Sequence, residues 1–423
     1  MLRLIPALFS LFFLASVTNQ SVEAVATIDI QNMNLPDLNQ LKENPSFTWW
    51  SEFGNTLVVG GEYNRLISAG STFQSLWPQM KRERLAIIVA GHRNELPEKT
   101  PIIAKSGRLI LTTKTSSLLS DDHMKVMNLE TNKVYVQSAI HNPSTEVLTP
   151  NQTTSAKSAM DDVDAVRWYS DVGTLTNWNR HISSVDIVSA RDWFKTQFEM
   201  LNPSSVNLQK FSVNGRDAWN VIATFNESDK NDIYIIGGHY DSISEQTSRS
   251  APGAEDNATG SAGVLELARV FASKKSDATL IFITFSGEEQ GLIGSKAYVR
   301  NLPAATRARI KAVITMDMIG YSKDDSEDVL LETSQEFKSL SAQLARVSTL
   351  VPGLKYFTTF NPFGSDHMSF IDNSIPAILT IDNDWGDYPA YHRTSDTIDK
   401  VSRDMGTAIL KMNAAALAIM IES

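Results

Sequence analysis

From residue 161 to the end, short apolar runs alternate with longer segments in which apolar residues recur at helical spacing. The runs at 220–225, 232–237, 280–285, 312–316, 329–331 and 377–381 draw mainly on Ile, Val, Leu and Phe and predict buried strands. The segments 189–200, 260–273, 334–350 and 402–421 predict helices. That alternation predicts an α/β fold, a mostly parallel mixed sheet sandwiched by helices.

Residues 27–142 read differently. Short apolar segments at 85–90, 108–111 and 133–137 lie among polar residues, and Trp49, Trp50 and Trp77 offer a small core. This predicts a smaller N-terminal domain, β-rich or α+β. Residues 143–160, rich in Pro, Ser, Thr and Asn, read as a linker to the second domain, 161–423. A length of 423 residues fits two or three domains.

Met1-Leu2-Arg3, the apolar stretch 4–17 and the small residues up to Ala26 have the form of an export leader (a signal peptide, 1–26) cleaved after Ala24 or Ala26. The expected destination is secreted, extracellular or periplasmic, with no stable membrane anchor after leader removal. A net charge of -10 without long charge runs speaks against nucleic-acid binding. With no cysteine, there is no disulfide, and any metal site must draw on His, Asp and Glu.

Candidate chemistry gathers at the predicted strand ends. Glu288 and Glu289 follow the apolar run 280–285. Two carboxylates there cost free energy unless something positive or protic meets them, and in open α/β sheets that edge is where ligands bind. His239 ends the strand at 232–237, with Asp241 two residues on and facing the same way in an extended chain. Asp256 lies among small residues before a helix, Asp317 ends another strand, and His392 lies in a loop before the last helix. Taken singly, these are turn acids, a core histidine or a helix cap. Together, two His and three carboxylates suit two divalent cations sharing a bridging carboxylate. His92, His123 and His141 have no acidic partners at ligand spacing and read as structural or surface residues.

Five ordered motifs make a family resemblance specific: GGHYDS (237–242), APGAEDNATG (251–260), SGEEQGLIGS (286–295), MDMIGY (316–321) and YHRTSDT (391–397). They resemble the ligand motifs of the secreted co-catalytic di-zinc aminopeptidases of the bacterial leucyl aminopeptidase type. The similarity runs from about Asp164 to the C-terminus and includes LTNWNR at 175–180.

The resemblance implies two Zn2+ per chain. His239, Asp256 and Asp317 would hold one ion, and Asp256, Glu289 and His392 the other, with Asp256 bridging. It also implies Glu288 as general acid/base, Asp241 as the partner behind His239, and a cis peptide bond after Asp256. Met318, Trp385, Tyr388 and Tyr391 match the family's apolar pocket positions, which favour Leu or other bulky apolar first residues. Substrates would be peptides or proteins with a free N-terminus, and the expected state is a monomer. One departure stands out: loop 361–367 carries neither the family's Tyr nor its short disulfide, which leaves the oxyanion role to Tyr321 or backbone donors. His367 reads as structural. The N-terminal domain reads as a removable pro-region or a retained accessory domain, the former favoured. Competing readings are a one-zinc glutaminyl-cyclase-like transferase, a non-catalytic binding protein of the peptidase fold, and a carboxypeptidase of related fold.

Overall fold

The computed structural model describes residues 22–69, 71–91, 101–116, 118–121, 124–144 and 146–422. The N-terminal region contributes β1 (Glu23–Asp29), β2 (Trp49–Gly54), β3 (Thr56–Glu62), β4 (Ser75–Pro78), β5 (Leu85–Ala90), β6 (Ile102–Ser106), β7 (Leu109–Thr113), β8 (Met124–Asn128) and β9 (Lys133–Ser138). The rest contributes β10 (Ser205–Val213), β11 (Arg216–Phe225), β12 (Ile233–His239), β13 (Thr279–Phe285), β14 (Ile310–Met316), β15 (Asp328–Glu332), β16 (Lys355–Thr359) and β17 (Ala377–Asp382).

At the centre of the sheet, β13, β12, β14 and β17 run parallel in that order. β12 and β13 are buried along their whole length, which is why their sequences are continuous apolar runs rather than alternating ones. β11 and β10 extend one side antiparallel, and β15 joins β17 antiparallel on the other. Helices Gly260–Ala272 and Arg403–Met420 bury most of their residues against the sheet and one another. Their close approach to neighbours uses small residues: a Cβ at Gly406 would meet the Trp168 ring at 1.9 Å.

The α/β architecture is as expected, and the predicted strands and helices appear. Three features bear on the expected boundaries. Within the expected linker 143–160 begins a helix, 150–161, that buries Ala156, Ala159 and Met160. Its start is a capping box between Thr149 and Gln152 with Pro150 in the first turn, a local signal hidden inside a polar composition. The N-terminal region is not a separate sheet throughout: β9 pairs with β16, so β9, β2, β3, β1 and β4 prolong the central sheet. Only β6-β7-β5-β8 form a smaller antiparallel sheet of their own. Finally, both expected leader cleavage points, after Ala24 and after Ala26, fall inside β1, whose Ala24, Val25 and Ala26 are buried. The rest of the expected leader, and His92 and His123, lie outside the described residues.

The shared core of the two regions decides what surrounds the site. Leu85, Ile87, Val89 and Leu109 of the small sheet pack in one cluster with Leu330, Phe357, Leu379 and Ile381 of the central sheet. Among the described residues, no helix is long and apolar enough to cross a membrane.

Candidate metal centre

The carboxyl ends of β12, β13 and β14 lie side by side, and each delivers one ligand candidate: His239, Glu289 after the turn Ser286-Gly287, and Asp317. Positive φ at Gly287 (+71°) lets the chain turn sharply there. Asp256 enters from the segment 254–259 ahead of the helix that begins at Gly260, and the Asp256–Asn257 peptide bond is cis. At the start of that helix Asn257 Oδ1 accepts from Gly260 N at 2.8 Å.

All five candidates converge in two groups, His239–Asp256–Asp317 and Asp256–Glu289–His392, within each of which the ligand atoms lie within 4.8 Å of one another. Asp256 divides its carboxylate between them. Its Oδ1 is 3.3 Å from His239 Nε2, and its Oδ2 is 3.0 Å from His392 Nε2. Asp317 Oδ1 stands 3.3 Å from His239 Nε2, and Glu289 Oε2 stands 3.2 Å from His392 Nε2. Both Glu289 oxygens are buried, and apart from the His392 imidazole beside Oε2 they have no donor among the described residues. A buried carboxylate left in that state calls for a cation. The donor set, imidazole and carboxylate only, fits zinc.

The charge pattern agrees. Burial lowers the proton affinity of His392, yet Glu289 and Asp256 outweigh it and hold the imidazole at about 10. His239 is likewise held well above its ordinary value, burial being overcome by Glu288, Asp317 and Asp256. Burial, and then the charge of Asp256, push Glu289 up to about 7. Glu288 is buried with Oε2 3.8 Å from His239 Nε2; burial first, then Asp317, Asp366 and Glu289, raise its carboxyl well above normal.

Asp241 faces both His239 and the backbone of the two glutamates. Its carboxylate lies 3.7 Å from His239 Nδ1, and its own backbone oxygen lies 3.1 Å from the same nitrogen. The carboxylate also accepts from Glu288 N and Glu289 N, each at 3.3 Å, and so fixes the backbone of the two glutamates. Further buried residues hold the ligands. Asp396 accepts from Glu255 N, Asp256 N and the Tyr388 hydroxyl. Ser365 Oγ donates to Asp317 Oδ2 at 2.7 Å. The guanidinium of Arg180 reaches the carbonyls of Leu175, Tyr240, Pro252 and Gly253. Asp396 and Arg180 stand within the motifs quoted above, but no local pattern marks what they touch.

The four pocket candidates are placed unequally. Tyr391 stacks on His392, ring centroids 3.8 Å apart, and its neighbour Trp385 meets it edge-on. Met318, Trp385 and Tyr388 are buried in the core shared with the N-terminal sheet. Tyr321 packs on Tyr388. His367 is fully buried, 3.1 Å from Glu332. His141, also buried, lies 3.3 Å from Glu52.

A largely parallel α/β sheet with His and carboxylate side chains gathered at its strand ends is an arrangement able to hold metal ions. Residues 220–417 match the profile of Peptidase family M28. Similar curated proteins include aminopeptidase YwaD of Bacillus subtilis, 31% identical over 41% of this chain and 38% of its own length. Leupeptin-inactivating enzyme 1 of Streptomyces exfoliatus is 36% identical over 48% of each chain. The chain thus spans less than half the length of these relatives. A probable leucine aminopeptidase of Arthroderma otae is 28% identical over 60% of this chain and 74% of its own length. Among solved structures, the Legionella pneumophila LapA aminopeptidase shares the fold, with a TM-score of 0.59, 19% identity, and coverage of 80% of this chain and 98% of its own.

Proposed function

We propose that the chain is an exported aminopeptidase that binds two Zn2+ and removes the first residue of peptides or proteins with a free N-terminus. The observation that carries this reading is the divided carboxylate of Asp256, each oxygen turned to a separate ligand group, with Glu288 beside them. His239, Asp256 and Asp317 would hold one ion and Asp256, Glu289 and His392 the other. Ions held there would supply Lewis acidity, lowering the pKa of a bound water toward about 7 and polarising the scissile carbonyl.

This chain's own part is proton movement and placement. Glu288, its carboxyl raised in a buried site, takes the water's proton and passes it to the leaving amine. Asp241 holds the Glu288 and Glu289 amides, so the base and the ligand keep their separate directions. The buried carboxylates around the centre favour a substrate amino group over a blocked one. Tyr391, flat against His392, offers an apolar face to a bulky first side chain such as Leu.

The reading predicts that leucyl-anilide is hydrolysed, that N-acetyl-leucyl-anilide is not, and that two zinc equivalents are bound. Equal rates on both substrates would reject it. One equivalent with cyclisation of an N-terminal glutamine would point instead to the glutaminyl-cyclase-like alternative; such an enzyme from Fimbriiglobus ruber shares the fold, with a TM-score of 0.52 and 22% identity over 61% of this chain and 95% of its own.

A further inference from the structure

We propose that Arg108 of the N-terminal region is a positioning residue of the metal centre, acting through loop 363–365 on Asp317. The proposal rests on the metallopeptidase reading of that centre. Arg108 lies in the turn between β6 and β7 and is 3% exposed. Its Nη1 donates to the carbonyls of Phe363 at 2.7 Å and Gly364 at 2.8 Å. The guanidinium also lies over the Trp385 ring, 5.0 Å from its centroid.

On its other side the loop is held by Glu332, whose Oε1 accepts from Phe363 N at 3.0 Å and whose Oε2 lies 4.0 Å from Arg108 Nε. The contact between regions is close at the backbone itself. A Cβ on Gly364 would stand 2.8 Å from Gly91 Cα, and one on Gly107 would stand 2.6 Å from Leu330 Cδ2. The hairpin tip is thus seated on β15 and against the loop. One residue beyond Gly364, Ser365 engages Asp317 Oδ2, leaving Oδ1 turned to His239. A hydrogen-bonded neighbour of this kind directs a ligand's free oxygen. Without the guanidinium, two buried carbonyls lose their donor and the loop that presents Ser365 is released. The metal centre is therefore completed by the N-terminal region, and the working enzyme keeps residues 22–144 attached.

The test uses the full chain, stripped of metal and titrated with Zn2+ against a chromogenic chelator. R108M is expected to weaken one bound ion by about ten- to a hundredfold, as is S365A. If Arg108 acts through Ser365, the R108M/S365A chain is no weaker than S365A alone, and R108K recovers part of the loss. Parent affinity in R108M, or losses that multiply in the double variant, would overturn the proposal. Should R108M not fold, the same cycle with R108K decides: no loss, or a loss that multiplies with that of S365A, overturns it. A parent chain that binds no Zn2+ sinks the metallopeptidase reading itself, whereas parent binding with unaffected Arg108 variants sinks only the role of Arg108.

Discussion

Glu288 and Glu289 are adjacent in the chain but point at different imidazoles: Glu289 Oε2 lies 3.2 Å from His392 Nε2, and Glu288 Oε2 lies 3.8 Å from His239 Nε2. Both stand in the turn that follows β13, where the backbone sends the two side chains in different directions, so one strand end can offer both a candidate ligand and a candidate proton carrier. Glu288→Gln keeps the shape and removes the proton acceptor. Turnover is expected to fall by about 10²–10⁴-fold with both metals retained. Parent-rate hydrolysis of leucyl amides by E288Q would take the general acid/base role away from Glu288.

Asp256 is the residue common to both ligand groups. Asp256→Ala is expected to lose both ions, whereas His392→Ala loses one. Elemental analysis of purified protein reads this directly, and two equivalents per chain retained in D256A would contradict a bridging role.

Metal and protons compete for the same atoms. In the metal-free chain, His392 is held at about 10 and Glu289 at about 7, so at pH 6 both carry protons that a cation must displace. Both values lie above the ordinary ones. The proton is therefore fully present below the ordinary value and given up only as pH rises through the raised one. Zinc affinity should climb from pH 6 to pH 8, with net proton release. Calorimetry in two buffers of different ionisation enthalpy measures that release; identical heats in both would refute it.

Arg180 is fully buried, and burial pulls its guanidinium down to about 10. Arg180→Met leaves the carbonyls of Leu175, Tyr240 and Gly253 without that donor, each costing about 1–3 kcal/mol. Urea unfolding should show the loss, and metal binding should weaken with it because segment 251–256 is tied to this side chain. An unchanged midpoint would mean that other donors replace it.

A chain starting at Thr27 lacks the half of β1 that pairs Glu23–Ala26 with Glu62–Val59. It is expected to melt about 5 °C or more below a chain starting at Val22. Equal melting temperatures would show that β1 contributes little to stability.

Strands β11–β15 and β17 were legible because strands buried within the sheet leave largely apolar runs, and His239, Glu289 and Asp317 were legible as candidates because they stand where those runs stop. The helix at 150–161 was not, since its polar face dominates the composition and its few buried alanines carry little signal. β10 and β16 were missed for a related reason: one is a half-exposed edge strand, the other a five-residue segment.

From its residues alone, the chain determined the ligand types, their order and the sheet that bears them, because local periodicity and strand-end chemistry depend on neighbours in sequence. Tertiary structure alone decided which Asp256 oxygen turns to which imidazole, that Asp241 serves the amides of Glu288 and Glu289, and that Arg108 reaches loop 363–365 from a position 255 residues away. Such contacts join distant segments, and their geometry follows from how sheets and loops pack, which spacing along a chain does not encode.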